Sequence, residues 1–299
     1  MKIFDCTTFY NENLMLDVRF NILNKYVDKF VVSEAKYSHS GEKKKLNFEL
    51  KNFSEFKKKI IYTVIENEPD SLIYHNKNGN LTENNEDMRG NSIKRIAHQR
   101  NKLLECINEA NDEDYIFYSD NDEIPNFENI NLETNKSKIV IFKQKLFYYK
   151  FNLFYGGVDW YGTKGCKKKS LKSFNWLREV KAKKYPIYRI DTFFTKNKYK
   201  DIRIVNDGGW HFTQLKNAKD LEIKLMNQEH HDEYKLARNN LPNVEDLIKR
   251  KTIIYDYKAK SSEYKFSSEF KLKTVSMNYM PKYLQINKSK FKEWFDDDE

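Results

Sequence analysis

The side chains best placed to do chemistry lie in residues 114–125, DYIFYSDNDEIP. Tyr115-Ile116-Phe117-Tyr118 is a short apolar, β-prone run that reads as a buried strand. The run breaks into Ser119-Asp120-Asn121-Asp122-Glu123, and Pro125 closes the turn. In an open α/β sheet the carboxyl ends of the strands face the crevice where ligands bind. Strand alternation puts Asp120 and Asp122 on one side, close enough for two carboxylates to share a divalent cation. Oxygen ligands suit Mg²⁺ or Mn²⁺, which complete their shells with water and substrate phosphates. A plain solvated loop has the same composition, so the surroundings must carry the distinction.

Those surroundings alternate. Residues 2–5 read as a first strand, and Asn11 or Asn13 can cap the helix that follows. Leu16, Phe20, Leu23 and Val27 fall on one face of that helix. Residues 29–34 form a second strand ending in Glu34, followed by a polar loop at 38–41 and a basic turn at 43–45. A short helix at 52–58 and a third strand at 60–65 come next. The Asn- and Glu-rich stretch 76–91 is expected as a surface loop. Ser92 is expected to cap a helix carrying Ile93, Ile96, Ala97, Leu103, Leu104 and Ile107 at the helical period. The order β-α-β-α-β-α-β predicts a largely parallel sheet wrapped by helices. Residues 138–154 read as an antiparallel extension, punctuated by Gly156-Gly157 and by glycines at 162 and 165. Helices are expected around 217–229 and 243–251, and a frayed tail at 296–299. With neither internal repeats nor a low-complexity linker, residues 1–299 read as one unit.

The chain has 299 residues, enough for a sizeable core, and Lys+Arg exceeds Asp+Glu by 54 − 44 = 10. That balance favours nucleotide diphosphates, nucleic acid or an anionic membrane surface. The 20 Tyr and 21 Phe suit a packed core and stacking surfaces for sugars or bases. Cys6, Cys106 and Cys166 lie far apart without a C-x-x-C, which argues against a disulfide framework and a zinc site. The N-terminus runs into a strand without a signal-type apolar region, and no apolar run approaches ~20 residues. The expectation is a soluble, cytoplasmic protein in a reducing compartment, touching membranes only at their surface.

Neither G-x-x-x-x-G-K-[ST] nor G-x-G-x-x-G occurs, so phosphate would be held by metal rather than by a Gly-rich loop. A metal-bridged diphosphate is what transfer from a nucleotide sugar needs, because the cation neutralises the departing group. The ordered blocks DCTTFYNENLMLDVRFNIL, VDKFVVSEAKYSHSGEKKKL, QRNKLL, YIFYSDNDEIP, WLR, DGGWHFTQLKNAKDLEIKL, H-x-E and MPKYL run from end to end. In them the chain resembles the β-1,4-N-acetylglucosaminyltransferases of glycosyltransferase family 17, and within it the shorter microbial or viral members. The Golgi relatives carry an N-terminal membrane anchor that is not expected here.

The resemblance implies an α/β fold of GT-A type: a nucleotide-binding sheet flanked by helices in residues 1–125 and an aromatic-rich acceptor half in 126–299. It implies inverting transfer of a sugar, GlcNAc by family, from a UDP-sugar to a protein-, lipid- or polysaccharide-linked glycan, with Mn²⁺ or Mg²⁺ as cation. Asp120 and Asp122 fall on the family's Asp-x-Asp and Glu123 on the acid after it. Asn11, Glu12, Arg19, Glu34 and Arg100 fall on other motif positions, expected around the donor, and His211 becomes a third metal ligand with Asp120 and Asp122. Glu179, Asp207 and Asp159 are the candidates for the base that takes the acceptor proton. Simpler roles stay open: a first-turn acid for Glu12, ion pairs for Arg19 and Arg100, and a core imidazole for His211. A frame for the acceptor from Trp176 and Arg178, and a helix-end role for His230-His231, also stay open. Two other functions compete. One is a metal-dependent phosphoesterase or nucleotidyltransferase, disfavoured by too few clustered ligands. The other is a nucleic-acid binder, disfavoured by interspersed lysines and the lack of a binding module.

Overall fold

The computed structural model describes residues 1–74, 81–186, 188–226, 234, 238, 241–259, 265–266 and 268–297. Its N-terminal part alternates as expected: β1 (Ile3–Phe9), α1 (Asn13–Leu23), β2 (Lys29–Ala35), a 3₁₀ segment (Leu50–Phe56), β3 (Ile60–Ile65), α2 (Leu81–Lys102) and β4 (Tyr115–Asp120). β1 pairs in parallel with β2 and β4, and β2 with β3. The apolar face read from the sequence is the reason α1 folds onto this sheet, since Leu16, Phe20 and Leu23 are all fully buried.

Beyond β4 the direction changes. β5 (Glu123–Pro125), β6 (Ile139–Tyr148), β7 (Leu153–Lys167), α3 (Phe174–Glu179), β8 (Ile202–Val205), β9 (Gly209–Thr213) and α4 (Ala218–Leu225) follow. β7 runs antiparallel to both β4 and β6, so the run 138–154, expected as one antiparallel extension, divides into β6 and the start of β7. The order along the mixed sheet is β3-β2-β1-β4-β7-β6-β9-β5. β4 and β5 are thus separated by three strands, a span of about 19 Å if the sheet were flat. Three peptide links from Asp120 to Glu123 reach at most about 11 Å. The sheet must curl, and the acidic turn lies where it comes back on itself.

Four expectations are corrected. Residues 81–91 are the first turns of α2 rather than loop, while 75–80 lie outside the described residues. Tertiary bonds hold this polar stretch in place of apolar burial: Asn91 Nδ2 donates to Ile73 O (2.6 Å) and Asn91 Oδ1 accepts from Ile73 N (2.9 Å). Ser92 is therefore inside the helix, its Oγ donating to His39 O at 2.8 Å. Gly162 and Gly165 are not breaks but part of β7, where a Cβ would meet Gln144 Oε1 and Phe117 Cδ1, each at 2.1 Å. Asp296 is not frayed, since it pairs with Lys251 at 2.6 Å and accepts from Thr274 Oγ1 at 2.6 Å.

The later helices are shorter than expected, Ala218–Leu225 and Val244–Lys249. His230, His231 and the 231–233 motif lie outside the described residues. The largest apolar core runs from Phe9 to Phe295, so both ends of the chain build it. Among the described residues no helix is long and apolar enough to cross a membrane.

Candidate active site

The acidic turn is held from beneath by Arg19. This side chain of α1 is fully buried and forks onto Asp5 of β1, Nε to Oδ2 at 2.7 Å and Nη2 to Oδ1 at 2.5 Å. Nη2 also donates to Ser119 Oγ (2.6 Å), and Nη1 donates to the carbonyl of Glu123 (2.7 Å) and, less closely, to that of Asn121 (3.4 Å). A buried guanidinium is tolerable only when its donors are met, and here they are. Arg19 positions the turn from inside the core instead of reaching a donor from the helix surface.

Asp120 is clamped. Its Oδ2 accepts from Arg178 Nη2 at 2.9 Å, and its Oδ1 accepts from Tyr118 Oη at 3.0 Å and Arg100 Nη2 at 3.5 Å. Arg178 also forks onto Glu123, 2.8 Å at both contacts, and donates to Gly162 O at 2.8 Å. Glu123 is fully buried and takes a further bond from Trp160 Nε1 (2.7 Å). Burial would raise the Asp120 carboxyl, but Arg178 and Arg100 hold it well below the usual carboxylate range. The clamp is built from afar. Ser173 caps α3 by accepting from Trp176 N at 3.0 Å. The buried Lys164 of β7 closes the other end, donating to the carbonyls of Val180 (2.7 Å) and Arg178. Burial, with Arg178 nearby, pulls the Lys164 ammonium down to about 7.

Asp122 is different. Its Oδ1 lies 3.4 Å from His211 Nε2, and its Oδ2 lies 3.9 Å from Lys224 Nζ of α4. Burial would raise this carboxyl too, but His211 and Lys224 leave it lowered. Antiparallel pairing of β5 with β9 sets Glu123 opposite His211 and so brings the imidazole to the turn. The ring lies on Trp160, centroids 4.5 Å apart, and its buried Nδ1 has no hydrogen-bond partner among the described residues. Lys224 is also 3.9 Å from Glu12 Oε1, while Glu12 Oε2 accepts from the backbone N–H groups of Tyr10 and Asn11 (3.2 and 3.1 Å).

A cavity of about 640 Å³ opens over this face. Its lining includes the polar groups Glu12, His39, Arg100, Asp120, Asp122 and Lys224 together with Tyr148, Trp160, Tyr257, Leu221 and Val244. His39 is presented by a tight hairpin: Gly41 N donates to Ser38 O (3.0 Å), and the His39 carbonyl takes bonds from Ser92 and from Arg95 of α2. Gly41 has φ +94°, with the Arg95 guanidinium where a Cβ would stand. Burial, and then Arg100, pull the His39 imidazole down to about 4, so it is neutral at neutral pH.

Of the residues expected around the donor, Glu12, Arg100 and Asp120 meet in the cavity, and Asn11 stands beside it, its Oδ1 accepting from Lys216 Nζ at 2.6 Å. Glu34 does not reach it. That carboxylate is fully buried and accepts from Asn47 N (2.8 Å), Phe48 N (3.0 Å), Tyr62 Oη (2.9 Å) and Lys44, fixing the segment after the basic turn. The three candidate bases also lie outside the cavity lining. Asp159 pairs with Lys143 at 2.8 Å, Asp207 pairs with Lys145, and Glu179 accepts from Asn175 Nδ2 at 2.7 Å. Each is near a site motif in sequence but points elsewhere in the fold. Among the described residues no three His, Cys, Asp or Glu side chains gather in a metal-holding group, so the expected Asp120–Asp122–His211 triad is not assembled. Sequence reasoning left out Lys224 and His39, and kept Arg178 only as an acceptor frame. Their blocks, LEIKL, HSG and WLR, were in view, but only pairing across the sheet shows what they face.

No curated protein matched the chain. The family model described as glycosyltransferase family 17 matches residues 1–295, essentially the full length, and takes in every element that builds this cavity. The chain is a glycosyltransferase and belongs to family 17.

Proposed function

We propose that the protein is a metal-dependent, inverting transferase of GT-A type, moving a sugar, GlcNAc by family expectation, from a UDP-sugar to a glycan acceptor. The observation that carries this is the contrast within the turn: both carboxylates line the cavity, but Asp120 is paired with guanidinium groups, while Asp122 has His211 and Lys224 beside it. Mn²⁺ and Mg²⁺ use one or two protein ligands and fill the remaining positions with water and phosphate oxygens. Cis ligands of such an ion stand about 3 Å apart, and Asp122 Oδ1 and His211 Nε2 are 3.4 Å apart. This donor pair fits the cation, which would supply charge neutralisation to the leaving diphosphate. Asp120 supports the turn through its arginines and is not a direct ligand in this reading. Lys224 and Arg100 bring positive charge to the same wall, where the diphosphate would lie.

An inverting transfer also needs a carboxylate to accept the acceptor's hydroxyl proton. Among the described residues the cavity is lined by three carboxylates, Glu12, Asp120 and Asp122. With the other two committed, Glu12 takes this role. Lys224, then Lys216 and the Asn11 N–H, overcome the effect of burial and keep it ionised. The aromatic wall of Tyr148, Trp160 and Tyr257 suits sugar rings of the acceptor.

The experiment is a panel of nucleotide sugars with and without Mn²⁺, followed by nucleotide release and thermal stabilisation. UDP-GlcNAc-selective, Mn²⁺-dependent stabilisation and release is expected. Equal stabilisation by all nucleotide sugars, with or without Mn²⁺, would overturn the reading.

A further inference from the structure

Residues 181–200 leave the site directly after α3 and make an excursion whose ends are tied together. Lys181 N donates to Asn197 O at 2.8 Å, Trp176 Nε1 donates to Lys196 O at 2.8 Å, and Trp176 meets Tyr199 edge-on at 5.7 Å. Between these ties stand Tyr188, Ile190 and Phe194, which are 80%, 69% and 83% exposed. Single apolar residues on a surface are ordinary, but three within one seven-residue stretch are not. The same 20 residues carry seven Lys and Arg and one acid, Asp191. That acid is already shared by Arg189 at 2.7 Å and Lys198 at 2.8 Å, so the segment stays strongly positive.

A soluble polyanion would be drawn to these cations but would gain nothing from an exposed isoleucine and phenylalanine. An anionic bilayer uses both. Its headgroups attract the lysines, whose stems allow the ammonium to stay in the polar layer while the rings and the isoleucine enter the acyl boundary. We infer that the 181–200 segment docks the enzyme on the surface of a membrane rich in anionic lipid. The docking is peripheral. It hangs from α3, whose Arg178 holds the acidic turn, so it fixes the active site near the bilayer.

Sedimentation with phosphatidylcholine vesicles, with and without phosphatidylglycerol, tests this independently of any catalytic readout. The full-length protein should bind the anionic vesicles at least about tenfold more tightly than the neutral ones. Replacing the two most exposed aliphatic and aromatic tips (Ile190→Ser with Phe194→Ser) should weaken that binding about tenfold and leave the circular dichroism spectrum unchanged. Lys183→Glu with Lys184→Glu should remove the preference for phosphatidylglycerol and provides a second, independent variant. Immobilised heparin serves as the soluble-polyanion arm. The inference is overturned if neither vesicle retains the protein. It is equally overturned if the Ser variant binds vesicles like the parent while both bind heparin, which would make the strap a polyanion site.

Discussion

Asp120 ends β4 and Asp122 stands two residues on, in the turn before β5, and their surroundings differ in kind. Around Asp120 the contacts are many: Arg178 and Tyr118 bond it at 2.9 and 3.0 Å, Arg100 reaches it at 3.5 Å, and Arg178 is shared with the buried Glu123. Around Asp122 the contacts are fewer and no guanidinium takes part, 3.4 Å to His211 and 3.9 Å to Lys224, beside the cavity that both carboxylates line. Closed, fully paired charge gives rigidity, because a buried pair gains only when its partners are all met. Loosely held charge beside a cavity leaves its hydrogen-bonding capacity for a ligand. Under the proposed function one carboxylate is frame and the other is working surface, a division the Asp-x-Asp pattern does not reveal.

The largest effect should come from breaking the frame. Arg178→Met takes the guanidinium from the fully buried Glu123 and from the partly exposed Asp120, and a partner lost from a buried charge such as Glu123 costs about 3–5 kcal/mol. Urea unfolding would measure it, and a loss below about 1 kcal/mol would mean that Arg178 is a ligand group rather than a clamp. Asp122→Asn keeps shape and removes charge on the working side. Turnover should fall at least about a hundredfold while stability stays within about 1 kcal/mol. Equal damage to stability and rate would erase the distinction drawn above.

Much of the frame is legible in the sequence. The β-α-β order and the acidic strand end follow from alternation and apolar spacing, which are local properties. The roles of Arg178, Lys224 and His39 are not local. They depend on β7 lying beside β4, on β9 pairing with β5, and on a hairpin gripped by α2. Glu179, Asp207 and Asp159 failed as cavity groups for the same reason, since closeness to a motif in sequence says little about direction after a curled sheet is closed. Residues 81–91 misled differently: Asn and Glu signal loop locally, and a handful of tertiary bonds overrides them.

Three further sets of variants sharpen the comparison. His211→Asn should raise the Mn²⁺ requirement for turnover about tenfold, or ~1.4 kcal/mol. Because the ring lies on Trp160, it should also cost about 1 kcal/mol without metal. A stability loss with unchanged Mn²⁺ response would make His211 purely a packing group. The smallest effect belongs to the exposed acids: Asp159→Asn, Asp207→Asn and Glu179→Gln should each keep turnover within about twofold. Glu12→Gln should lose about a hundredfold at unchanged donor affinity, read as kcat against donor binding. If one of the exposed acids falls like Glu12 instead, the proton leaves by another route.

Arg19 has a consequence for how binding is driven. Fixing the backbone of one residue costs about 1–2 kcal/mol of conformational entropy. The guanidinium ties the carbonyls of Asn121 and Glu123 during folding, so the turn carries that cost before any donor arrives. Under the proposed function a nucleotide sugar then meets a surface with little freedom left to lose, and its association should be governed by desolvation and charge with a small ordering penalty. Loosening Arg19 would surface first in the entropy of binding, measured by titration calorimetry at several temperatures, even where the enthalpy of the contacts at Asp122 is preserved.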